Sequence, residues 1–251
     1  MTKKLYPLIS LIFIISIALA SCGPKDVTLE VYAGDALRAP LTQIKASYEE
    51  QNPHVTINYN FAASKVLAET IRTLEQGDVA MMGNSAIAPM NEEKLLLAIY
   101  PVTVQVAVIA VKEGGDTVTS WDDLSKEGVR IALVNPEMSL IGTLANKMIA
   151  ESPDADVIKG NVVRLTSDIT EALELINAGE IDAAIVMPSL VLKTEGVTSI
   201  EIPDELNVKI PLSITVPIYT TNEEEAKSFA EFVASDAGKQ VFYNMGFEPI
   251  E

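Results

Sequence analysis

The chain has 251 residues, a formal net charge of −17, one cysteine and one histidine. Such an acidic chain argues against nucleic-acid binding, because the phosphate backbone demands basic patches. One cysteine cannot form an internal disulfide, and one histidine leaves little room for a Ser-His-Asp or Cys-His catalytic apparatus.

The first predicted element is a secretory signal at the N-terminus. Two lysines precede the apolar run Leu5–Ala20, which is shorter than the roughly 20 apolar residues of a membrane span. The run leads into Leu19-Ala20-Ser21-Cys22, which resembles the lipobox of bacterial and archaeal lipoproteins. This resemblance implies that 1–21 is removed, that Cys22 carries a lipid, and that 22–26 is a tether to the cell membrane. An ordinary signal peptide with a nearby cysteine is the alternative.

Strands and helices alternate along the rest of the chain. Period-two alternation or short buried apolar runs predict strands at 27–33, 55–61, 79–82, 105–112, 129–134 and 183–187. Apolar stripes at helical spacing predict helices at 37–48, 64–77, 139–151 and 168–179, and two more that begin near 222 and 236. This alternation predicts an α/β fold with mainly parallel sheets.

Several helix ends have their own signals. Asp168-Ile-Thr-Glu171 is typical of a capping box, and Gly179 follows as a stop. Gly77 is the predicted stop of the helix that begins at Ser64, with Leu74 facing inward. Leu140 is likewise predicted to face inward at the start of its helix.

Seven segments along the chain match a known family in the same order: Tyr32–Leu41, Asn60–Ala68, Gly77–Val79, Thr119–Leu124, Asn135–Gly142, Ala178–Val186 and Gly246–Pro249. Together they resemble the molybdate/tungstate-binding periplasmic proteins of ABC transporters. The resemblance implies the two-lobe type II periplasmic-binding-protein fold with crossing hinge strands. It places 27–106 plus 216–251 in one lobe and 107–215 in the other, with the ligand in the cleft between them. It also implies an ABC permease as partner; we expect a monomer.

The chemistry of oxyanion binding points to helix starts, where backbone N–H groups carry positive partial charge. The sequence offers four: Gly34-Asp35-Ala36, Ala63-Ser64-Lys65, Leu140-Ile141, and Ile169 behind its Asp168 cap. In the family, positions that match Ala36, Ser64, Ile141, Ile169 and Met187 line the anion. The predicted ligand-binding set is therefore Gly34, Asp35, Ala36, Ser64, Lys65, Ile141, Ile169 and Met187. Ser64 is the best candidate as a donor to the ligand; it also fits a plain helix N-cap.

The candidate site departs from the family pattern at three positions. Ala36 lacks the hydroxyl of the usual second serine, and Met187 stands where some members have a tyrosine. Asp35 adds a carboxylate, which at 4 Å from a dianion would cost about 1–4 kcal/mol. Either Lys65 or Arg38 could neutralise Asp35, or the carboxylate could point to solvent.

Methionines near strand ends leave three interpretations open. Soft thioethers can bind soft metals, fill a core, or line an apolar cleft for an organic ligand. The residues are Met81, Met82, Met90, Met138 and Met187. We expect core packing, and no metal site or cofactor.

The predicted function is capture of a tetrahedral oxyanion, molybdate or tungstate, by a non-enzymatic receptor. The rival ligands are another anion, a metal complex or a small organic acid. The rival from a different class is a surface enzyme or an adhesion module on the same fold. Phosphate-cradling G-x-x-x-x-G-K-[ST] and G-x-G-x-x-G motifs are absent from the sequence, which weakens the enzyme alternative.

Overall fold

Two five-stranded sheets form the framework of the computed structural model, which describes residues 25–137 and 139–250. The strands are β1 Val27–Gly34, β2 Val55–Ala62, β3 Val79–Gly83, β4 Leu96–Gln105, β5 Val108–Lys112, β6 Ile131–Val134, β7 Val162–Thr166, β8 Ala183–Val186, β9 Val197–Glu201 and β10 Ile210–Pro217. The helices are α1 Arg38–Gln51, α2 Ser64–Leu74, α3 Asn84–Glu92, α4 Leu140–Glu151, α5 Ala155–Gly160, α6 Ile169–Ala178, α7 Pro188–Val191, α8 Glu223–Ala234 and α9 Asp236–Tyr243. The predicted signal peptide, Cys22 and Met138 lie outside the described residues. Within those residues, we find no helix of the length and apolarity that a bilayer crossing requires.

The two sheets share one topology. The first has the strand order β2-β1-β3-β10-β4 and the second β7-β6-β8-β5-β9. Pairing is parallel between the first three strands of each sheet and antiparallel on both sides of the fourth. Four strands of each sheet therefore run in one direction, and only β10 or β5 runs against them. This α/β arrangement of two lobes confirms the predicted fold class.

The reversed strand in each sheet is the one that enters from the other lobe. The chain leaves β4 at the edge where β1, β2 and β3 also end, and it crosses at 106–107 into β5. It returns from the end of β9 through 202–209 into β10. Because both reversed strands start where their neighbours end, the carboxyl edges of the two sheets both lie at the crossings.

The two crossing segments are tied together by one side chain. The Asn207 amide accepts a hydrogen bond from the Ala107 N–H at 3.2 Å and donates one to the Ala107 carbonyl at 3.0 Å. This reciprocal pair takes the place of strand pairing at the point where the chain changes lobes.

Two predicted boundaries are corrected by the strand pairing. The single strand predicted at 105–112 spans the crossing, since Gln105 ends β4 in the first sheet and 108–112 is β5 in the second. The prediction joined them because buried residues continue through the crossing without a break. The predicted division at 216 falls inside β10, which pairs with β3 and β4. Residues 210–215 therefore belong to the first sheet.

Helices cover both faces of each sheet. In the first lobe α1, α8 and α9 pack on one face, where the rings of Tyr48 and Phe229 meet edge to face at 5.0 Å between centroids. The apolar residues of α2 and α3 pack on the other face. In the second lobe, α4 and Trp121 cover one face and α6 the other. Trp121 is buried and donates its indole N–H to Ser152.

The helix ends bear out the predicted cap signals at Asp168 and Gly179, but two leucines that were predicted to face inward are exposed. Asp168 accepts from the Glu171 N–H, so the predicted cap is confirmed. The Glu171 carboxylate accepts from the N–H and hydroxyl of Ser167, so the reciprocal bond lies one residue before the one that a capping box makes. The helix that begins at Ser64 ends at Leu74, not at Gly77. Leu74 is 57% exposed and Leu140 is 61% exposed, so both inward predictions are wrong. Leu74 and Leu140 lie in the terminal turns of their helices, where the apolar face of the helix no longer packs on the sheet.

An ion pair joins the starts of β6 and β8. Asp182 accepts from the Arg130 backbone N–H at 2.8 Å, from Nε at 3.0 Å and from Nη2 at 2.7 Å. The Arg130 guanidinium, as a hydrogen-bond donor, keeps the pKa of Asp182 below its ordinary value. Because Arg130 is partly exposed, solvent screening limits the contribution of this pair.

Asp182→Asn is expected to lower the free energy of unfolding at pH 7 by about 1–2 kcal/mol. A carboxyl whose pKa is lower in the folded state stabilises above its unfolded pKa of about 3.9, and this contribution is lost as the pH falls through the folded value. The difference from wild type should thus shrink below about pH 4. Urea unfolding at several pH values measures it, with the exposed loop variant Asp116→Asn as the control. If the difference in free energy of unfolding between wild type and Asp182→Asn stayed constant down to about pH 2.5, the carboxylate of Asp182 would not be the source of the stabilisation.

Candidate ligand-binding site

The site lies where the carboxyl edges of the two sheets meet the crossings. In α/β sheets with this connectivity, ligands bind outside the carboxyl ends of the strands, where neighbouring connections turn to opposite faces. Here β1 is followed by a helix on one face, and β2 by a helix on the other. The same holds for β6 and β7. The predicted site residues lie at the ends of these strands or just after them, except Met187, which follows β8.

Three strand-to-helix junctions of the first lobe converge on Ser64. The Ser64 hydroxyl oxygen accepts a long hydrogen bond from the Gly83 N–H at 3.5 Å. A Cβ built on Gly34 would lie 3.7 Å from the same oxygen. The N-cap of α2 is Ala63, so Ser64 is the first residue of the helix and the cap interpretation is wrong. Among the described residues, no acceptor takes the Ser64 hydroxyl proton, which leaves it for a ligand.

The third junction, Gly83-Asn84-Ser85, was missed by the sequence analysis. Gly83 ends β3 and is the N-cap of α3. The Asn84 side-chain oxygen accepts from the buried Ser213 hydroxyl at 2.8 Å, which fixes the start of the helix to β10. The Ser85 hydroxyl lies 3.9 Å from the Cβ position of Gly83. A glycine directly after the buried run Val79–Met82 is the signal that could have found this junction.

Asp35 is neutralised by Arg38 and not by Lys65. Arg38 Nη2 lies 3.1 Å from Asp35 Oδ1, and the guanidinium stacks over the Phe61 ring at 4.2 Å from its centroid. Both charged side chains are largely exposed. The negative charge of Asp35 is therefore offset by Arg38 and by solvent. Lys65 is exposed at the start of α2, with no ion-pair partner in the described part of the chain. Its charge remains available to an anion.

The second lobe places its candidates at the facing edge. Ile141 is buried in the first turn of α4, and Ile169 is half-buried at the start of α6. Gly142 lets α4 approach β6 closely. A Cβ at this position would lie 2.9 Å from the Pro136 nitrogen and would overlap the Val134 carbonyl oxygen. These apolar residues offer an anion their backbone N–H groups and no polar side chain.

Met187 is the N-cap of α7, and its side chain is buried in the core of the second lobe. It therefore cannot replace a tyrosine hydroxyl at the ligand. Met81, Met82 and Met90 are also buried in the core of the first lobe, as core packing predicts. Within the described residues, we find no group of three or more His, Cys, Asp or Glu arranged to hold a metal ion.

Three of the helix starts at the site are free of negative charge. Within the described residues, no carboxylate lies in the first turn of α2, α3 or α4, and no side chain caps their N-termini. The turn before α1 instead begins with Asp35, and Asp168 caps α6. By contrast, α8 begins with Glu223-Glu224-Glu225 and α9 begins with Asp236. In a chain with 35 acidic residues, α2, α3 and α4 thus all begin at the carboxyl edges without an acidic side chain in the first turn. Their first N–H groups have no partner within the helix and can bind an anion.

Two lobes of this topology, joined by two crossing segments, define a type II periplasmic binding protein. A comparison with family profiles matches residues 29–248 to the family described as bacterial extracellular solute-binding protein. The chain belongs to this family.

Relatives agree with this assignment in sequence and in fold. A Bacillus subtilis (strain 168) protein, YvgL, provisionally named an ABC transporter substrate-binding lipoprotein, is 26% identical over 89% of this chain and 87% of its own. The molybdate-binding protein ModA of Mycobacterium bovis is 25% identical over 88% of this chain and 84% of its own. Among solved structures, the substrate-binding domain of a provisionally assigned molybdenum ABC transporter from Clostridium difficile superposes with a TM-score of 0.81 at 23% identity, covering 90% of this chain and 100% of that chain.

Proposed function

We propose that this protein is the extracytoplasmic, lipid-anchored receptor of an ABC importer and that it captures a tetrahedral oxyanion between its lobes. Molybdate and tungstate are the first candidates. The ligand would be bound by the N–H groups at Ala36, Ser64, Ile141 and Ile169, with the Ser64 hydroxyl and the Lys65 charge added in the first lobe. Such a receptor binds and releases its ligand unchanged and is not an enzyme.

The uncapped, carboxylate-free starts of α2, α3 and α4 carry the proposal. Each helix start presents positive partial charge, and a bound anion would supply the partner that a capping side chain supplies elsewhere. The acidic surface does not oppose this, since screening at physiological salt limits bulk charge effects to about 8 Å. The molybdate-binding relative and the fold of the molybdenum transporter domain support the same class of ligand.

The anchor and the transport partner rest on separate observations. A lipid on Cys22 would keep the lobes near the permease that receives the ligand. The relative named as a substrate-binding lipoprotein of an ABC transporter supports both points. Lipidation can be measured as a mass increase on the N-terminal peptide of the mature protein, which Cys22→Ala should abolish.

A small organic anion is the second candidate ligand. Exposed Leu140 at the start of α4 gives the edge of the second lobe an apolar surface that a bare oxyanion does not need. The fold also occurs in a protein crystallised with L-phospholactate, with a TM-score of 0.65. A phosphorylated or carboxylated small molecule would use the same helix starts for its anionic group.

A panel of ligands should separate these candidates by thermal unfolding. A ligand present at 100 times its Kd is expected to stabilise the protein by about 2.7 kcal/mol. Molybdate and tungstate should raise the melting temperature, while sulfate, phosphate, phospholactate and divalent metals serve as comparisons. If neither molybdate nor tungstate shifts the transition at millimolar concentration, the oxyanion assignment is wrong. A shift with phospholactate alone would select the organic anion.

A further inference from the structure

The C-terminal segment makes a contact between the lobes that is separate from the two crossings. Gly246 follows α9 in the first lobe, and Pro188 begins α7 in the second. A Cβ built on Gly246 would lie 2.8 Å from both Cβ and Cγ of Pro188 and 3.3 Å from Leu192 Cδ1. At this point the lobes are so close that only a residue without a side chain fits.

Each side of this contact is fixed to its own lobe. Glu248 exchanges two backbone hydrogen bonds with Val104 near the end of β4, both at 2.8 Å, and also accepts from the Thr103 hydroxyl at 2.7 Å. Phe247 is buried against Phe242, with 5.6 Å between ring centroids. Gly246 is therefore held firmly by the first lobe.

On the other side, Pro188 directly follows Met187 at the end of β8 and is itself buried. Because the ring of Pro188 includes its own backbone nitrogen, which is bonded to Met187, a shift of the ring would also move the backbone at Met187. This residue lies at the carboxyl edge of the second sheet. The bridge to Val104 lies three residues before Ala107, where the chain crosses between lobes. The contact at Gly246 is therefore two residues from a bridge that is itself three residues from the crossing between the lobes.

We propose that Gly246 and Pro188 form the fulcrum on which the two lobes close, and that this contact positions the backbone at Met187 relative to the first lobe. Hinge closure turns rigid bodies about a few residues that absorb the backbone change, and a firm contact beside those residues would limit the geometry in which closure ends. The proposal rests on the proposed function, because closure matters only where a ligand is captured. It assigns a positioning role to Gly246 and no contact with the ligand.

Gly246→Ala introduces two distinct penalties that a matched control can separate. Gly246 has a φ of +82°, where a side chain causes strain whatever the space around it. Gly179 in the second lobe has a similar φ of +71° but no heavy atom within 4 Å of its Cβ position. Gly179→Ala therefore introduces the conformational strain alone. Pro188→Gly removes the ring atoms on the other side of the contact, so the double variant relieves the clash and keeps the strain.

Molybdate affinity of the full chain is the first measurement. Gly246→Ala should weaken binding at least about tenfold, as expected of overpacking at a rigid contact. Gly179→Ala should remain within about threefold of wild type, and the double variant should return to the affinity of Pro188→Gly alone. If Gly246→Ala binds as tightly as Gly179→Ala, or if Pro188→Gly fails to rescue it, the fulcrum is wrong.

Hydrogen exchange of the ligand-free full chain tests the contact without any ligand. Gly246→Ala should raise amide exchange on both sides, at 244–248 and at 189–194, with the sheet cores unchanged. Faster exchange confined to 244–248 would overturn the proposal. If wild type does not bind molybdate, that result counts against the proposed ligand, and the exchange measurement alone then decides the fulcrum.

Discussion

Gly142→Ala is expected to destabilise the protein by about 3 kcal/mol or more and to abolish anion binding. A methyl group here would collide with the Val134 carbonyl oxygen and lie 2.9 Å from the Pro136 nitrogen. Overpacking a core usually costs about 1–3 kcal/mol, and the cost is higher when the obstructing atoms are backbone and cannot rotate away. The alternative is for α4 to lift off β6, which moves the Ile141 N–H away from the cleft.

Urea unfolding and a molybdate titration measure the two effects. Gly160→Ala is the matched control, because it adds the same methyl group to a helix of the same lobe with no heavy atom within 4 Å. This control should be neutral or slightly stabilising, since alanine is the better helix former. A Gly142→Ala variant within about 1 kcal/mol of wild type would contradict the close approach of α4 to β6.

Local patterns predicted the elements next to the site better than the route of the chain between lobes. The alternating residues of β1 and β2 and the Asp168 cap of α6 are readable because each pattern depends on a few neighbouring residues. The crossing at 106–107 lies inside the continuous buried run 102–111, in which Thr103 and Gln105 are the polar residues. The residues from Val106 to Val111 are apolar and buried on both sides of the crossing, so no turn residue or polar break shows that the strand partner has changed.

The site was predicted in part because a helix start can be found from sequence, whereas its surroundings depend on folding. Ser64 was singled out correctly as the residue at the junction after β2, but its nearest neighbours, Gly34 and Gly83, are 30 and 19 residues away in the chain. The proximity of Ser64 to both glycines arises from the strand order of the sheet. The pairing of Asp35 with Arg38 is local by contrast, because the helical turn 35–37 brings together two side chains that are three residues apart.

Topology explains why the two lobes contribute equivalent groups. In both lobes the first three strands are each followed by a helix that starts at the carboxyl edge. The first lobe adds the Ser64 hydroxyl and the Lys65 charge to its backbone donors, while the second offers backbone donors and apolar side chains. We infer that the first lobe makes the stronger contact with an anion and that the second lobe closes over it.

Ser64→Ala should therefore weaken molybdate binding by roughly 10- to 100-fold. A hydrogen bond to a charged group contributes about 1.5–3 kcal/mol, and this variant removes the only side-chain hydroxyl at the junction after β2. Stability in the absence of ligand should change little, because Ala63 is the N-cap and the bond from the Gly83 N–H is long. Isothermal titration gives the affinity, and urea unfolding gives the stability.

The pair of measurements distinguishes a ligand contact from a structural one. Ser47→Ala, on the exposed side of α1 in the same lobe, is the matched control and should alter neither quantity. Ser64→Thr keeps the hydroxyl and should retain more affinity than Ser64→Ala, though its methyl group crowds a junction that Gly34 and Gly83 keep narrow. Unchanged affinity in Ser64→Ala would assign anion binding to the backbone alone. A loss of affinity with equal loss of stability would show that the hydroxyl holds the three junctions together and that the ligand is affected through them.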